Sequence, residues 1–101
     1  MTNNKTHEFF MGEALKQAKL SFFADEIPIG AVLVYQDKII ASGHNLSIAN
    51  HDPSAHAEIL TIRDGGQYLK NYRLLNCSLY VTLEPCVMCI GAIFHARISN
   101  L

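Results

Sequence analysis

The chain has 101 residues, of which 50% are hydrophobic and 17% are charged, and its formal net charge is −1. This composition supports a buried core, argues against a disordered chain, and fits one domain over residues 1–101. The eight basic residues are balanced by nine acidic ones, so the chain lacks the basic excess typical of non-specific nucleic-acid binding. No apolar run approaches the roughly 20 residues of a membrane helix.

The N-terminal residues 1–8 are polar and lack the apolar stretch of a secretory signal. Three cysteines, an odd number, argue against a disulfide framework and favour reduced thiols. We therefore expect a cytoplasmic protein that does not associate with membranes.

Hydrophobic periodicity predicts a first helix over residues 6–23, followed by two strands. Five apolar residues at helical spacing form its predicted buried stripe: Met11, Ala14, Leu15, Ala18 and Phe22. The run Ile29–Tyr35 is apolar on both faces, which is typical of a central strand. A turn at 36–38 leads into a second strand at 39–42, so these two strands must be antiparallel. With crossovers elsewhere in the chain, we expect a mixed sheet.

Two further helices flank a third predicted strand. Ser54 is the predicted cap of the second helix, and Gly65-Gly66 should end or bend it. The third strand covers residues 77–83, and Pro85 opens a helix over residues 86–96. That last helix is apolar on nearly every side, which predicts that it is buried. The order α-β-β-α-β-α predicts a sheet covered by helices on both faces.

Two short clusters of metal-ligating residues open the second and third helices. They are His56-Ala57-Glu58 and Pro85-Cys86-Val87-Met88-Cys89. Each alone is a weak signal, because a Cys-x-x-Cys pair can be two core thiols, a redox pair or half of a metal site. An acidic residue is also favoured at any helix N-terminus. Together they are stronger, because both helices follow strands and their first turns can meet at one edge of the sheet.

His56, Cys86 and Cys89 are the kinds of donor that zinc binds. Zinc takes imidazole nitrogen and thiolate sulfur in a tetrahedral shell, and catalytic sites use three protein ligands and leave the fourth position to water. Residues two apart on a helix do not share a face, so we predict that Glu58 moves protons at the zinc-activated water and does not bind the metal. A redox pair remains an alternative. So does a structural zinc site, although neither Cys77 nor another histidine has an obvious spacing for a fourth ligand.

Several other segments extend these two clusters into one pattern. They are Pro28–Val34, Asn45, His51–Ile59, Asn71–Leu74 and Leu79–Cys89. With them the chain resembles the cytidine/deoxycytidylate deaminase superfamily, and within it the tRNA adenosine deaminase branch, from about Glu8 onward. The His-x-Glu and Pro-Cys-x-x-Cys pattern is shared by zinc nucleobase deaminases in general. The His-Asp-Pro, Asn-Tyr-Arg-Leu and Thr-Leu-Glu-Pro-Cys segments are more typical of the tRNA branch.

The resemblance implies a cytidine-deaminase-like three-layer α/β/α fold with a mixed central sheet. In the family this domain continues with further strands and a helix, so we expect the chain to be a C-terminally truncated version that lacks them. The implied function is zinc-dependent hydrolysis of adenosine to inosine at the wobble position of tRNA. The implied partners are the tRNA anticodon loop and a second copy of the chain, in a homodimer.

The resemblance also assigns roles to single residues. One zinc ion per chain would be held by His56, Cys86 and Cys89, and Glu58 would be catalytic. Asn45 would hydrogen-bond the target nucleoside, and the backbone around Ala57 would contact the base edge.

Alternatives stay open at this point. Asn45 can also be a turn residue, and Lys70 and Arg73 suit either phosphate contacts or a solvated loop. The substrate can instead be a free base or nucleoside such as cytosine, cytidine or guanine. The chain can also be an inactive fragment that still binds zinc.

Overall fold

The structure, a computed structural model, describes residues 6–101. Helices and strands follow one another in the predicted order within this part of the chain. They are α1 (His7–Phe23), β1 (Gly30–Tyr35), β2 (Lys38–His44), α2 (Ala57–Leu69), β3 (Cys77–Val81) and α3 (Val87–Ala96). None of these helices is long and apolar enough to cross a lipid bilayer.

The three strands form a sheet in the order β2-β1-β3, with β1 in the centre. Strand β1 pairs antiparallel with both neighbours, so that Leu33 lies opposite Ala41 on one side and Leu79 on the other. A parallel bridge joins Ser78 to Asn100, and the Leu79 N–H donates to the Asn100 carbonyl at 2.9 Å. Among residues 6–101, the three strands thus pair only antiparallel, and the parallel contact of the expected mixed sheet is limited to this isolated bridge.

Helices cover both faces of this sheet, as a three-layer α/β/α fold requires. On one face, Phe10 and Ala14 of α1 pack against Val32 and Val34. The opposite face carries the larger core, which α2 and α3 cover. Its buried members are Ala31, Leu33, Ala41, Ala57, Leu74, Cys77, Leu79, Ile93 and Ala96. The central strand is therefore buried on both sides, which explains why its sequence is apolar at nearly every position.

Helix α1 lies unusually close to the start of β1, and Gly30 makes this possible. A Cβ atom at Gly30 would overlap the carbonyl oxygen of Ala14 and the amide nitrogen of Ala18, and would lie 2.7 Å from the Cβ atom of Gln17. Backbone atoms cannot move aside as a flexible side chain can. The absent side chain therefore sets the distance between this helix and the sheet.

The predicted buried stripe of α1 is correct at only two of its five positions. The residues of α1 that are buried are Phe10, Ala14, Ala18 and Ser21. Met11, Leu15 and Phe22 are exposed. The small residues Ala14, Ala18 and Ser21 allow the helix to approach β1 closely. The buried face of α1 is therefore rotated by about one residue from the face that hydrophobicity alone predicts.

Helix α3 is not buried on all sides, so that prediction was wrong. Only Cys89, Ile93 and Ala96 are buried in this helix. On the opposite side, the side chains of Val87 and Phe94 are 87% and 66% exposed. Uniform apolar composition indicates that a face should be covered but not what covers it. No part of residues 6–101 covers this face.

Helix α2 begins and ends later than the sequence predicts. Its N-cap position is His56, whereas the hydroxyl of Ser54 donates to Asp52 within the preceding loop at 2.7 Å. The helix also continues through Gly65-Gly66 and ends at Leu69, and the C-cap residue Lys70 has a left-handed backbone with φ of 54°. Gly65 is buried against the side chain of Leu33. This glycine therefore serves close packing on the sheet and does not end the helix.

Candidate metal and catalytic site

Three side chains from two helix starts meet at one point, as the sequence predicts. The Nδ1 atom of His56 lies 3.5 Å from the Sγ atom of Cys89 and 3.7 Å from that of Cys86, and the two sulfurs are 3.6 Å apart. A tetrahedral zinc ion with Zn–S of about 2.3 Å and Zn–N of about 2.0–2.1 Å needs edges of roughly 3.8 Å between sulfurs and 3.6 Å between sulfur and nitrogen. The donor triangle therefore fits zinc.

The loop-to-helix boundaries place these donors. His56 and Cys86 both occupy N-cap positions with extended backbones, at φ −79° and ψ 153° and at φ −76° and ψ 174°. Because His56 lies outside the helix, the rule that residues two apart diverge does not apply to His56 and Glu58. Both helix N-termini point at the donor triangle, and their partial positive charges favour thiolate ligands.

Glu58 lies beside this triangle in the first turn of α2. Its side chain is only 3% exposed, and its Oε1 atom has no hydrogen-bond partner within residues 6–101. A buried carboxylate oxygen without a partner is costly, and such atoms usually serve a site that binds water, an ion or a substrate. Glu58 therefore offers a free proton acceptor next to the candidate metal ligands.

The two site thiols differ in acidity when no metal is bound. Burial raises the pKa of Cys89 to about 12, and the negative charge of Glu58 adds to this effect. The backbone N–H of Cys89 is the main cause that lowers the pKa of Cys86. A bound divalent cation would favour the thiolate form at both positions. The metal-free site therefore pairs an exposed, more acidic thiol with a buried, protonated one.

This difference predicts an order of alkylation. In metal-free protein at pH 8, we expect iodoacetamide to modify Cys86 well before Cys89, because the thiolate is the reacting form. The Cys86 thiolate forms at a lower pH than that of an ordinary cysteine, whereas Cys89 remains a thiol until the pH approaches 12. Peptide mass spectrometry over a time course measures both rates, with buried Cys77 as the slow internal reference. Equal rates would contradict the geometry, and added zinc should protect both site thiols.

The structure brings Asn45 to the start of α2, where it acts as a helix cap. Its side chain is 4% exposed, and its Oδ1 atom accepts a hydrogen bond of 2.7 Å from the Ala57 N–H. Its own carbonyl accepts from the Ser21 hydroxyl at 2.9 Å. The carbonyl of Ala57 accepts from the Thr61 hydroxyl at 2.7 Å. Both backbone groups of Ala57 therefore have partners inside the protein, and contacts of Asn45 and Ala57 with a base remain predictions.

Glu26 contacts the loop that leads to His56, and the sequence does not predict this role. It is 7% exposed, and its two carboxylate oxygens accept hydrogen bonds from the backbone N–H groups of Ile48 and Ala49, at 3.1 and 2.8 Å. Glu26 thereby ties the loop between β2 and α2 to the end of α1. An isolated acidic residue before Ile27 and Pro28 has no periodic signal, so only the structure reveals this role.

We expect Glu26→Gln to destabilise the protein by about 1–3 kcal/mol, because the amide group would face one of the two N–H donors without an acceptor. Hydrogen exchange at Ile48 and Ala49 should become faster while exchange in β1 changes little. Urea unfolding and exchange followed by NMR measure both effects. Asp25→Asn is the matched control, since Asp25 is exposed and adjacent. Unchanged exchange at both amides in Glu26→Gln would show that the carboxylate does not hold the loop.

The remaining histidines and the third cysteine lie away from the donor triangle. His44 contacts Gln17 through its Nδ1 atom at 3.2 Å, and His51 and His95 are exposed. Cys77 is buried in the core. In the part of the chain that the structure describes, the donor group has three members and no fourth. This favours an open site, in which a solvent molecule or substrate completes the coordination, over a closed structural one.

Residues 4–101 match the family model of the cytidine and deoxycytidylate deaminase zinc-binding region. The chain therefore belongs to this family.

The proteins that are similar to this chain include two whose names refer to tRNA and one guanine deaminase. The chain is 58% identical over 94 residues to the tRNA-specific adenosine deaminase of Buchnera aphidicola subsp. Baizongia pistaciae, covering 93% of this chain and 58% of that relative. A solved chain from structural studies of A-to-I editing by tRNA:A34 deaminases is 47% identical with a TM-score of 0.88, covering 90% of this chain and 70% of that one. Guanine deaminase from Bacillus subtilis is 41% identical with a TM-score of 0.92, covering 95% of this chain and 62% of that one.

Proposed function

We propose that residues 1–101 form a single zinc-dependent deaminase domain, the N-terminal and central part of a tRNA-specific adenosine deaminase. Its reaction is the hydrolysis of adenosine to inosine at the wobble position of a tRNA anticodon. The observation that carries this proposal is the convergence of His56, Cys86 and Cys89 beside the buried carboxylate of Glu58, whose Oε1 atom has no hydrogen-bond partner among residues 6–101. The 58% identity to a tRNA-specific adenosine deaminase supports the choice of substrate.

His56, Cys86 and Cys89 would hold one zinc ion, because their separations match a tetrahedral shell and their chemistry suits it. When bound in such a site, zinc supplies Lewis acidity that lowers the pKa of water from about 15.7 to about 7. The helix N-termini at His56 and Cys86 supply further positive potential. The chain itself thus provides the ligand set and the local field.

Glu58 would move the protons of the reaction. Its free Oε1 atom can accept a proton from the attacking water as the oxygen bonds to C6 of adenine. The same carboxyl group can then deliver that proton to the departing amino group. The C6–N6 bond breaks and ammonia leaves, while the remaining proton of the water moves from the new C6 hydroxyl to N1. This leaves a carbonyl oxygen on C6, so water and adenosine become inosine and ammonia. Burial of Glu58 keeps bulk solvent from competing for the proton.

Asn45 would serve the substrate and the protein at once. Its Oδ1 atom holds the first turn of α2 through the Ala57 N–H, which leaves the Nδ2 amino group to donate to the target nucleoside. The backbone around Ala57 would lie at the base edge. A single-stranded anticodon loop suits this site, because a nucleotide without a base-pairing partner leaves its stack at low cost.

The test is to incubate the zinc-loaded chain with an anticodon stem-loop RNA that carries adenosine at the wobble position. Nucleoside mass spectrometry should detect inosine, and assays of ammonia release from guanine, cytosine and cytidine should stay at background. Guanine is the important competitor, since a guanine deaminase shares this fold. Turnover of a free base alone would replace the proposed substrate. Stoichiometric zinc without turnover of any substrate would identify an inactive zinc-binding chain.

We also propose that the chain forms a homodimer and works in the cytoplasm. The exposed apolar face of α3, which includes Val87, Ile90 and Phe94, suits pairing with a second copy. Free cysteines and a tRNA substrate suit a reducing compartment. Sedimentation should show a dimer that Phe94→Glu dissociates, whereas Phe23→Glu on α1 should not. A monomeric wild-type chain at micromolar concentration would contradict the pairing.

A further inference from the structure

A second concave surface lies along the C-terminal half of α2, away from the donor triangle. This α2 cleft has a volume of about 500 Å³, and Arg63, Gly66, Gln67, Lys70, Asn71 and Tyr72 line it. Two cations, two amides and an aromatic ring therefore share one surface. The proposed catalytic chemistry uses none of them.

In the described part of the chain, no carboxylate oxygen lies within 4 Å of the cations of the α2 cleft. Within residues 6–101, the one ion pair with atoms closer than 4 Å joins Lys16 to Glu13 on α1. Arg63 and Lys70 are exposed and have no such partner there. The chain as a whole is slightly acidic and has no general positive surface. Arg63 and Lys70 form a local positive surface on it. A local surface of this kind selects a place for an anion.

The turn after α2 adds an aromatic platform. Tyr72 is 76% exposed, and the guanidinium carbon of Arg73 lies 5.3 Å from the centroid of its ring. Asn71 fixes this turn, because its Oδ1 atom accepts a hydrogen bond of 3.0 Å from the Arg73 N–H. Cations beside an exposed aromatic ring are the combination that binds single-stranded nucleic acid, where phosphates pair with the cations and bases stack on the ring.

The α2 cleft and the candidate active site lie along the same helix, the site at its N-terminus and the cleft in its C-terminal half. Arg63 is seven residues from His56, which is about 10 Å along a helix axis, and Lys70 is about 20 Å from it. Hydrogen bonds from Ser54 are the main cause that lowers the pKa of Asp52, and the charge of Arg63 lowers it further. Arg63 thus lies near the loop that leads to His56. A strand with its target nucleotide at Glu58 can place neighbouring phosphates here.

We propose that the α2 cleft binds the sugar-phosphate backbone of the RNA strand that flanks the target nucleotide, with a base stacked on Tyr72. This inference rests on the proposed function and names a second contact surface for the same substrate. Arg63 and Lys70 pair with phosphates, and Tyr72 provides a stacking contact that does not depend on base identity.

The test measures binding of the zinc-loaded chain to a fluorescein-labelled anticodon stem-loop by anisotropy, at several salt concentrations. We expect Arg63→Gln with Lys70→Gln to weaken binding about tenfold and to reduce the slope of log K against log salt by about 1–2. The control, Lys19→Gln with Lys38→Gln, removes the same charge elsewhere and should leave binding within twofold of wild type. Tyr72→Ala should weaken binding by about fivefold or more, whereas Tyr72→Phe should not.

The outcomes separate this inference from the proposed function. Wild-type affinity and salt slope in the cleft variants would overturn the cleft and leave the proposed function intact. Cleft-dependent RNA binding by a zinc-loaded chain that forms no inosine would support the cleft and contradict the proposed reaction. Absence of RNA binding by the wild type would overturn both. Inorganic phosphate that protects Arg63 and Lys70 from chemical modification, with RNA affinity unchanged in the variants, would show a simple anion site and overturn the cleft as an RNA surface.

Discussion

Replacing Glu58 with Gln is expected to reduce deamination by roughly 10²–10⁴-fold while zinc stays bound. The substitution keeps the size of the buried side chain but removes the group that accepts and returns the proton, and general acid–base catalysis typically contributes a factor of this size. Zinc should remain because Glu58 is outside the donor triangle of His56, Cys86 and Cys89. Turnover of the stem-loop RNA and zinc content by elemental analysis measure the two effects separately.

The matched control for this experiment is Glu84→Gln. Glu84 precedes the third helix in sequence, yet its side chain is exposed, so the same chemical change there should alter neither turnover nor zinc content. Retained deamination in Glu58→Gln would remove this residue from its catalytic role. Loss of zinc from Glu58→Gln would mean that the carboxylate helps to hold the metal.

Gly30→Ala is expected to destabilise the fold by about 3 kcal/mol or more, a large fraction of the 5–15 kcal/mol that a typical domain has. The new methyl group would overlap backbone atoms of Ala14 and Ala18. Relief requires α1 to move away from the sheet. That movement would open the packing of Phe10 against Val32.

Gly12→Ala, which lies within α1 itself, provides the opposite case. A Cβ atom at Gly12 would meet no atom within 4 Å, so alanine should stabilise the helix by about 0.5–1 kcal/mol through its higher helical propensity. Urea unfolding of both variants measures the contrast. A loss below 1 kcal/mol in Gly30→Ala would mean that the contact between α1 and β1 is looser than the structure shows.

The fold was largely predictable because its signals are local. The run at β1 is apolar on both faces, and it is indeed buried between two helical layers. The two clusters at His56 and Cys86 were predicted to meet because both open helices after strands, and their donor atoms lie within 4.8 Å of one another. Periodicity and the geometry of layered sheets are enough for such inferences.

The errors arise where a contact depends on a distant part of the chain. The start of α2 is set by Asn45, which caps Ala57 from 12 residues away, so the local preference of Ser54 for a cap did not decide it. Glu26 accepts hydrogen bonds from the backbone N–H groups of Ile48 and Ala49. Nearly every residue has such a group, so the sequence does not show which of them a carboxylate contacts. The face of α3 that carries Phe94 is apolar but exposed, because composition does not identify the surface that covers it.

The placement of His56 outside the helix has a consequence for metal affinity. His56 lies at the boundary between the preceding loop and α2, and Asn45 caps the helix at this boundary. Local opening of the loop would therefore also displace the imidazole of His56. Occupancy of the site and order of the loop are then thermodynamically coupled, and each must increase the other by the same free energy. A substitution that destabilises the loop should therefore raise the dissociation constant for zinc, even where the substituted residue lies far from Cys86 and Cys89.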